Sequence, residues 1–349
     1  MTDITASDDG NSLTNSFKKY ARWLALLAML LGAAAFWGWR PAAKPLAPVS
    51  KVVIAIPTQI YSAPMIVATT QGFFQKAGVE VINQPALLGK LALQAVLDGK
   101  ADLAVAADTP TMFAILGGKD IAIIAGISQS RRALGIVTRN DRGINSLQDL
   151  SGKSITVTKG TNGLYFLDAV LQVNGIASDS VNQVDLPVAD GVAAFKAGKV
   201  DALAIFQPHL AQLEASMGKQ IKVFYGEDVY AFRYLLIGKP AYIDSHPEEI
   251  QRILKALIAA NAAIRTDLTS ARHAVGEVVK VEDSIMAKLF DPEDYVVSLD
   301  QAMLLSLDDQ TRWAMQQGLV KPGPVPNYLS FTKYQALKAV LPGAVKIVY

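Results

Sequence analysis

Two stretches of the chain nearly repeat each other: Leu97-Asp98-Gly99-Lys100-Ala101-Asp102-Leu103-Ala104 and Lys196-Ala197-Gly198-Lys199-Val200-Asp201-Ala202-Leu203-Ala204. In each, an amphipathic helix ends on a glycine that accepts the left-handed C-cap conformation, and a lysine follows where the carbonyl end of the helix dipole favours a cation. An apolar strand comes next. The echo extends upstream, where Ala77-Gly78-Val79 before a strand at 79–82 matches Asn174-Gly175-Ile176 before one at 181–186, and a strand at 52–56 matches 154–158. Each unit reads strand, helix, strand, helix, strand. Such runs build a parallel sheet flanked by helices, with ligands bound beyond the carboxyl ends of the strands. Two such lobes facing each other make a cleft.

The composition narrows the function. The chain has 349 residues, 51% of them hydrophobic, which suits a folded protein with an ample core. Net charge is +2 with both signs interspersed, so no basic groove for nucleic acid is expected. The chain contains no cysteine, which excludes disulfides, a thiol nucleophile, iron–sulfur clusters and a bacterial lipid anchor. His209, His246 and His273 are too scattered for a zinc site, and no metal or cofactor is expected.

The amino end has its own logic. A polar and basic tail over 1–22, with Lys18, Lys19 and Arg22 at its end, precedes an uncharged apolar run over 23–39 flanked by Trp23, Trp37 and Trp39. These features predict a transmembrane anchor with a cytoplasmic amino end; a cleaved signal, offered small residues at Ala33-Ala34-Ala35, is the alternative. Prolines 41, 45 and 48 make 40–50 a semi-rigid linker. Under either reading the remainder is extracytoplasmic.

Candidate site residues follow from strand tips. The run Val52-Val53-Ile54-Ala55-Ile56 reads as a buried parallel strand, so Gln59, Tyr61 and Ser62 in the turn after it face the cleft. Asp108 and Thr109 follow the next strand, either at the lip of the cleft or as helix caps. After a strand at 121–127, the polar stretch Ser128-Gln129-Ser130-Arg131-Arg132 reads as the first crossover between lobes, making Ser128, Gln129 and Arg131 candidates. The glycine-rich turn Lys159-Gly160-Thr161-Asn162-Gly163 is the strongest local signal. It offers backbone amides to an anion, with Thr158, Gly160, Thr161 and Asn162 as contacts, and lacks the ending of a nucleotide-hydrolysing P-loop. Gln207 lies at the tip of a strand at 202–206, and Arg233, with Tyr230 and Phe232, precedes a strand at 234–238 that marks the return crossover. Ser245-His246-Pro247-Glu248 reads as a capping box ahead of a core-facing helix.

Taken in order, Ser62-Ala63-Pro64, Gln71-Gly72-Phe73-Phe74, Leu97-Asp98-Gly99-Lys100-Ala101-Asp102, Asp108-Thr109-Pro110, Leu150-Ser151-Gly152-Lys153 and His246-Pro247-Glu248 resemble the solute-binding proteins of ABC importers. The resemblance is to the nitrate, sulfonate and taurine group, whose domain is shared with pyrimidine-precursor binders. It implies a two-lobed α/β periplasmic-binding-protein fold of type II, each lobe a mostly parallel sheet flanked by helices, here preceded by a transmembrane helix. One lobe is expected over 51–128 and 232–349, the other over 129–231. The implied function is binding without catalysis: a monomer closes on a small anionic or zwitterionic solute and delivers it to permease and ATPase subunits. A heterocycle binder, a sensor for a membrane partner and, less favoured for want of a nucleophilic grouping, an enzyme are the alternatives.

Overall fold

The structure is a computed structural model in which residues 49–348 are described; the tail and apolar segment expected over 1–22 and 23–39, and most of the linker, lie outside the described residues. Among the described residues no helix is long and apolar enough to cross a membrane.

The chain builds one sheet, leaves it, builds a second and returns. The first part runs β1 (Ser50–Pro57), α1 (Ala63–Thr70), α2 (Phe73–Lys76), β2 (Val79–Ala86), α3 (Gly89–Leu97), β3 (Leu103–Ala107), α4 (Asp108–Leu116) and β4 (Ala122–Ser130). The second comprises β5 (Leu134–Arg139), β6 (Ser154–Val157), α5 (Asn162–Val173), β7 (Asn182–Asp185), α6 (Val188–Lys196), β8 (Ala202–Phe206), α7 (His209–Met217) and β9 (Ile221–Tyr225), after which β10 (Phe232–Gly238) re-enters the first sheet. The strand orders are β2-β1-β3-β10-β4 and β7-β6-β8-β5-β9. Each sheet thus has three parallel strands, an antiparallel fourth and an edge strand. The central strands β3, β8 and β10 are buried along their whole length, as expected for apolar runs covered on both faces.

The repeated sequence does the same mechanical work twice. Gly99 and Gly198 sit at φ of +72° and +69°, and the amides of Lys100 and Lys199 reach back to the carbonyls of Ala95 and Ala194 at 2.8 and 2.9 Å. These bonds close the helix ends in Schellman fashion. Asp102 then accepts the Val53 amide at 2.8 Å, and Asp201 accepts the Ser154 amide at 2.9 Å and its hydroxyl at 2.7 Å. In both sheets the aspartate pins the last of the three parallel strands to the first of them, β3 to β1 and β8 to β6.

Two local readings are corrected. Ser128, Gln129 and Ser130 do not leave the sheet; they continue β4 and pair with Tyr234, Arg233 and Phe232 of β10, so the chain breaks from the strand only at Arg131. Polar residues are tolerated there because β4 is an edge strand near a cavity. The capping box at 245–248 is absent, since the Ser245 hydroxyl donates to the carbonyls of Ala241 and Tyr242 and so finishes the preceding helix, α8 (Pro240–Ser245).

The carboxy-terminal third is largely helical. The long α9 (Pro247–Thr266) packs on α1, α10 (Leu268–Val279) does likewise, and α11 (Asp283–Leu289) reaches α7. Helix α12 (Gln301–Gln316) packs on α4, and α13 (Gln335–Val340) on α9.

Candidate functional site

Between the carboxyl edges of the two sheets lies a small cavity of about 20 Å³, room for about one water. Its walls come from the amino ends of three helices: Leu88, Gly89 and Lys90 at α3, Ala107 and Pro110 at α4, Thr161 and Asn162 at α5. Gln59 and Tyr61 enter from the turn after β1, Gln207 from the tip of β8, Ala133 from the first passage between sheets, and Phe232 and Tyr234 from the start of β10. First-turn amides of a helix lack intrahelical partners and carry a partial positive charge. Among the described residues lining the cavity, Lys90 is a cation and no carboxylate is present. The electrostatics favour an anion.

Hydrogen bonds fix the polar walls. Tyr234, whose phenol burial holds protonated, donates to Gln59 Oε1. Thr161 caps α5: its hydroxyl donates to the Thr158 carbonyl at 2.7 Å and accepts the Gly163 amide at 3.2 Å. Gln207 Oε1 accepts the Ala211 amide at 3.1 Å, which leaves the amide nitrogen to donate elsewhere. Tyr61, Phe232 and Tyr234 form a tilted aromatic row with centroids 5.1 and 4.9 Å apart.

Gly89 permits this closeness. A Cβ there would stand 2.8 Å from the Ala107 amide nitrogen and 3.2 Å from the Tyr234 ring. Gly160, at φ +70°, lies under Lys90, whose ammonium donates across the seam to the Lys159 carbonyl at 3.4 Å.

Besides Gly160, which lies under Lys90, the residues singled out from sequence fall into three groups. Gln59, Tyr61, Thr161, Asn162 and Gln207 line the small cavity. Gln129, Arg131 and Arg233 instead line a larger one of about 780 Å³, which shares Tyr61 and Gln207 with the first and mixes Arg132 and Lys288 with Glu214, Glu227 and Asp294. Burial there pushes the Asp294 carboxyl up to about 7. Arg131 and Arg132 tie the two passages together, through the Glu227 carbonyl at 2.9 Å and its carboxylate at 3.1 Å.

The third group supports the walls. Ser128 donates to the Tyr61 carbonyl at 2.7 Å, Thr158 to the Leu186 carbonyl at 2.8 Å, and Ser62 and Thr109 are buried. Asp108, the first residue of α4, is fully buried and accepts from Tyr230, from Gln310 at 3.0 Å and from the Thr109 amide at 3.0 Å. Burial raises its carboxyl to about 6, against the opposing pull of the Tyr230 hydrogen bond and Arg233.

Sequence reasoning missed Leu88, Gly89, Lys90 and Tyr234. A usable signal was present in the first three, because a glycine opening an amphipathic helix and followed by lysine offers bare amides beside a cation.

Two three-strand parallel sheets, each closed by an antiparallel strand and joined by two passages, with helix amino ends meeting at the seam, define a two-lobed solute-binding fold. The chain belongs to the NMT1/THI5-like family, whose model matches residues 59–267. A Bacillus subtilis protein provisionally named an aliphatic sulfonates-binding protein is 25% identical over 256 residues, covering 71% of this chain and 76% of its own. The crystal structure of the periplasmic aliphatic sulphonate binding protein SsuA from Escherichia coli superposes with a TM-score of 0.72 at 20% identity, over 82% of this chain and 92% of that one. SsuA from Xanthomonas axonopodis pv. citri, bound to MOPS, gives 0.71 at 19% identity over 82% and 99%. The desulfurization enzyme DszB shares the fold at a TM-score of 0.63 and 16% identity, over 84% of this chain and 99% of its own.

Proposed function

We propose that this protein is the extracytoplasmic solute-binding component of an ABC import system, taking a small sulfonate-type anion between its two lobes and handing it to permease and ATPase subunits. The observation that carries the reading is the meeting of three helix amino ends and Lys90 on one cavity whose described walls hold no carboxylate. Backbone amides and the Lys90 ammonium neutralise the anionic group, while Thr161, Asn162 and Gln207 orient it. A cavity of about 20 Å³ admits such a group only when the lobes part, so binding is coupled to a hinge motion about the two passages. The names of the sulfonate-binding relatives support the ligand class. Tethering by 23–39 belongs to the same proposal and is tested by carbonate extraction of membranes from a producing strain.

The ligand assignment is tested by calorimetry on the full chain with methanesulfonate, taurine, nitrate and a pyrimidine. Sulfonate binding that Lys90→Glu abolishes is the expected result. Binding of the pyrimidine alone sinks it in favour of a heterocycle site.

A further inference from the structure

The lobes meet along two flanks of the seam that are built differently. On one, α5 lies against α4 and α12. There Trp313 and Asp168, 4% and 3% exposed, are joined by the indole hydrogen bond at 2.9 Å, Tyr165 packs edge-on against both Trp313 and Tyr230, and the Phe113 and Trp313 rings lie 6.0 Å apart. Lys90 adds its bond from α3 to the Lys159 carbonyl just ahead of α5.

On the other flank α11 faces α7 beside the cavity of about 780 Å³, whose walls take Ala211, Glu214 and Ala215 from α7 and Ile285, Lys288 and Leu289 from α11. Charged side chains on these walls are satisfied inside their own lobes: Glu214 accepts from the Tyr225 hydroxyl at 3.4 Å, Glu293 pairs with Arg265 at 3.6 Å, and Asp291 accepts the Glu293 amide at 2.9 Å. Among the described residues no hydrogen bond crosses from α7 to α11. Parting this flank therefore breaks little. Parting the other bares three aromatic side chains to water and leaves the Asp168 carboxylate without its indole donor.

We propose that the lobes open on one flank only: α5 and α12 stay in contact as the pivot, α7 and α11 separate, and the solute passes through the large cavity to reach the small one. The proposal rests on the reading of the small cavity as a solute site. Tyr61 and Gln207 line both spaces and form the doorway between them. The second passage is anchored on the pivot side, since Tyr230 donates to Asp108 and packs on Tyr165. Rotation about that side widens the α7–α11 gap first, a motion of the hinge class with its axis displaced to one edge of the seam.

The chain has no cysteine of its own, so introduced pairs report cleanly. Gln172→Cys with Gln316→Cys spans the pivot and Ala215→Cys with Lys288→Cys spans the large cavity, all four at exposed positions. Each pair is spin-labelled on the full chain, and its distance distribution is measured without and with methanesulfonate. The pivot pair gives one narrow distance that the sulfonate leaves unchanged; the cavity pair gives a broad one that shortens and narrows. A short bismaleimide across the cavity pair slows uptake of methanesulfonate by roughly tenfold or more, because a conformational step then limits association, and one across the pivot pair does not. A pivot pair that moves as far as the cavity pair, or a pivot link that slows uptake as much, overturns the proposal. If methanesulfonate fails to bind the unlinked protein, the sulfonate reading falls, and the ligand-free distances alone decide the pivot: a broad cavity pair beside a narrow pivot pair upholds it, and equal breadths overturn it.

Discussion

The Trp313 indole donates to the Asp168 carboxylate at 2.9 Å, linking α12, which packs on α4 of the first sheet, to α5 of the second. One turn earlier on α12, Gln310 donates to Asp108 at 3.0 Å. The helix therefore holds an aspartate from each side of the seam. Edge-on aromatic contacts, Tyr230 to Tyr165 and Tyr165 to Trp313, each with centroids 5.1 Å apart, run beside it.

Trp313→Phe removes this donor and leaves the buried Asp168 carboxylate with Gln183, 2.8 Å away. A loss of about 1–3 kcal/mol follows from leaving one buried acceptor of that side chain without its partner. Urea unfolding measures the loss, and small-angle scattering reports a larger radius of gyration as the closed arrangement weakens. An unchanged radius would mean that α12 does not hold the lobes together.

Asp108 makes stability depend on pH. Its carboxyl is raised from 3.8 to about 6, so the folded protein holds a proton there that the unfolded chain has released. The contribution is complete below pH about 4 and is lost as pH rises through 6, amounting to roughly 3 kcal/mol. Asp108→Asn flattens that part of the curve. Denaturant midpoints between pH 4 and 7 for both proteins check the sign: a wild-type stability that climbs over this interval relative to the variant contradicts it.

Asp102→Ala and Asp201→Ala each strand a backbone amide, of Val53 in β1 and of Ser154 in β6, at equivalent register positions of the two sheets. Each should cost about 1–3 kcal/mol, with Asp201→Ala the more severe because it also frees the Ser154 hydroxyl. Chemical denaturation of the pair decides the order.

Gly89→Ala places a methyl 2.8 Å from a backbone nitrogen that has little freedom to move. Overpacking of this kind costs about 1–3 kcal/mol, and the first turn of α3 shifts out of the cavity wall. The midpoint of thermal unfolding and the affinity for methanesulfonate should fall together; an affinity that stays level would remove Gly89 from the site.

The duplicated architecture was legible because its signals are local. Gly99 and Gly198 mark helix ends by their own backbone requirement, and the apolar runs after Asp102 and Asp201 announce buried strands. The glycine-rich turn at 159–163 likewise declared itself, and Thr161 and Asn162 stand on the cavity wall. What sequence could not reveal depends on distant partners. Asp108 read either as a lip residue, because it follows a strand tip, or as a helix cap, because Asp favours helix starts, and neither reading could foresee that Tyr230 and Gln310, far away in the chain, bond its carboxylate. The edge pairing of Ser128–Ser130 with β10 was hidden for the same reason, since polar residues mark a loop unless the strand that covers them is known.

The place of β10 between β3 and β4 has a consequence for biogenesis. The second sheet is made from one uninterrupted stretch, Leu134 to Tyr225, and can assemble as soon as that stretch is available. The first cannot, for its interior is finished by a strand that emerges only afterwards and must slot between two neighbours already synthesised. A polypeptide threaded out amino end first therefore keeps its earliest sheet unfinished the longest.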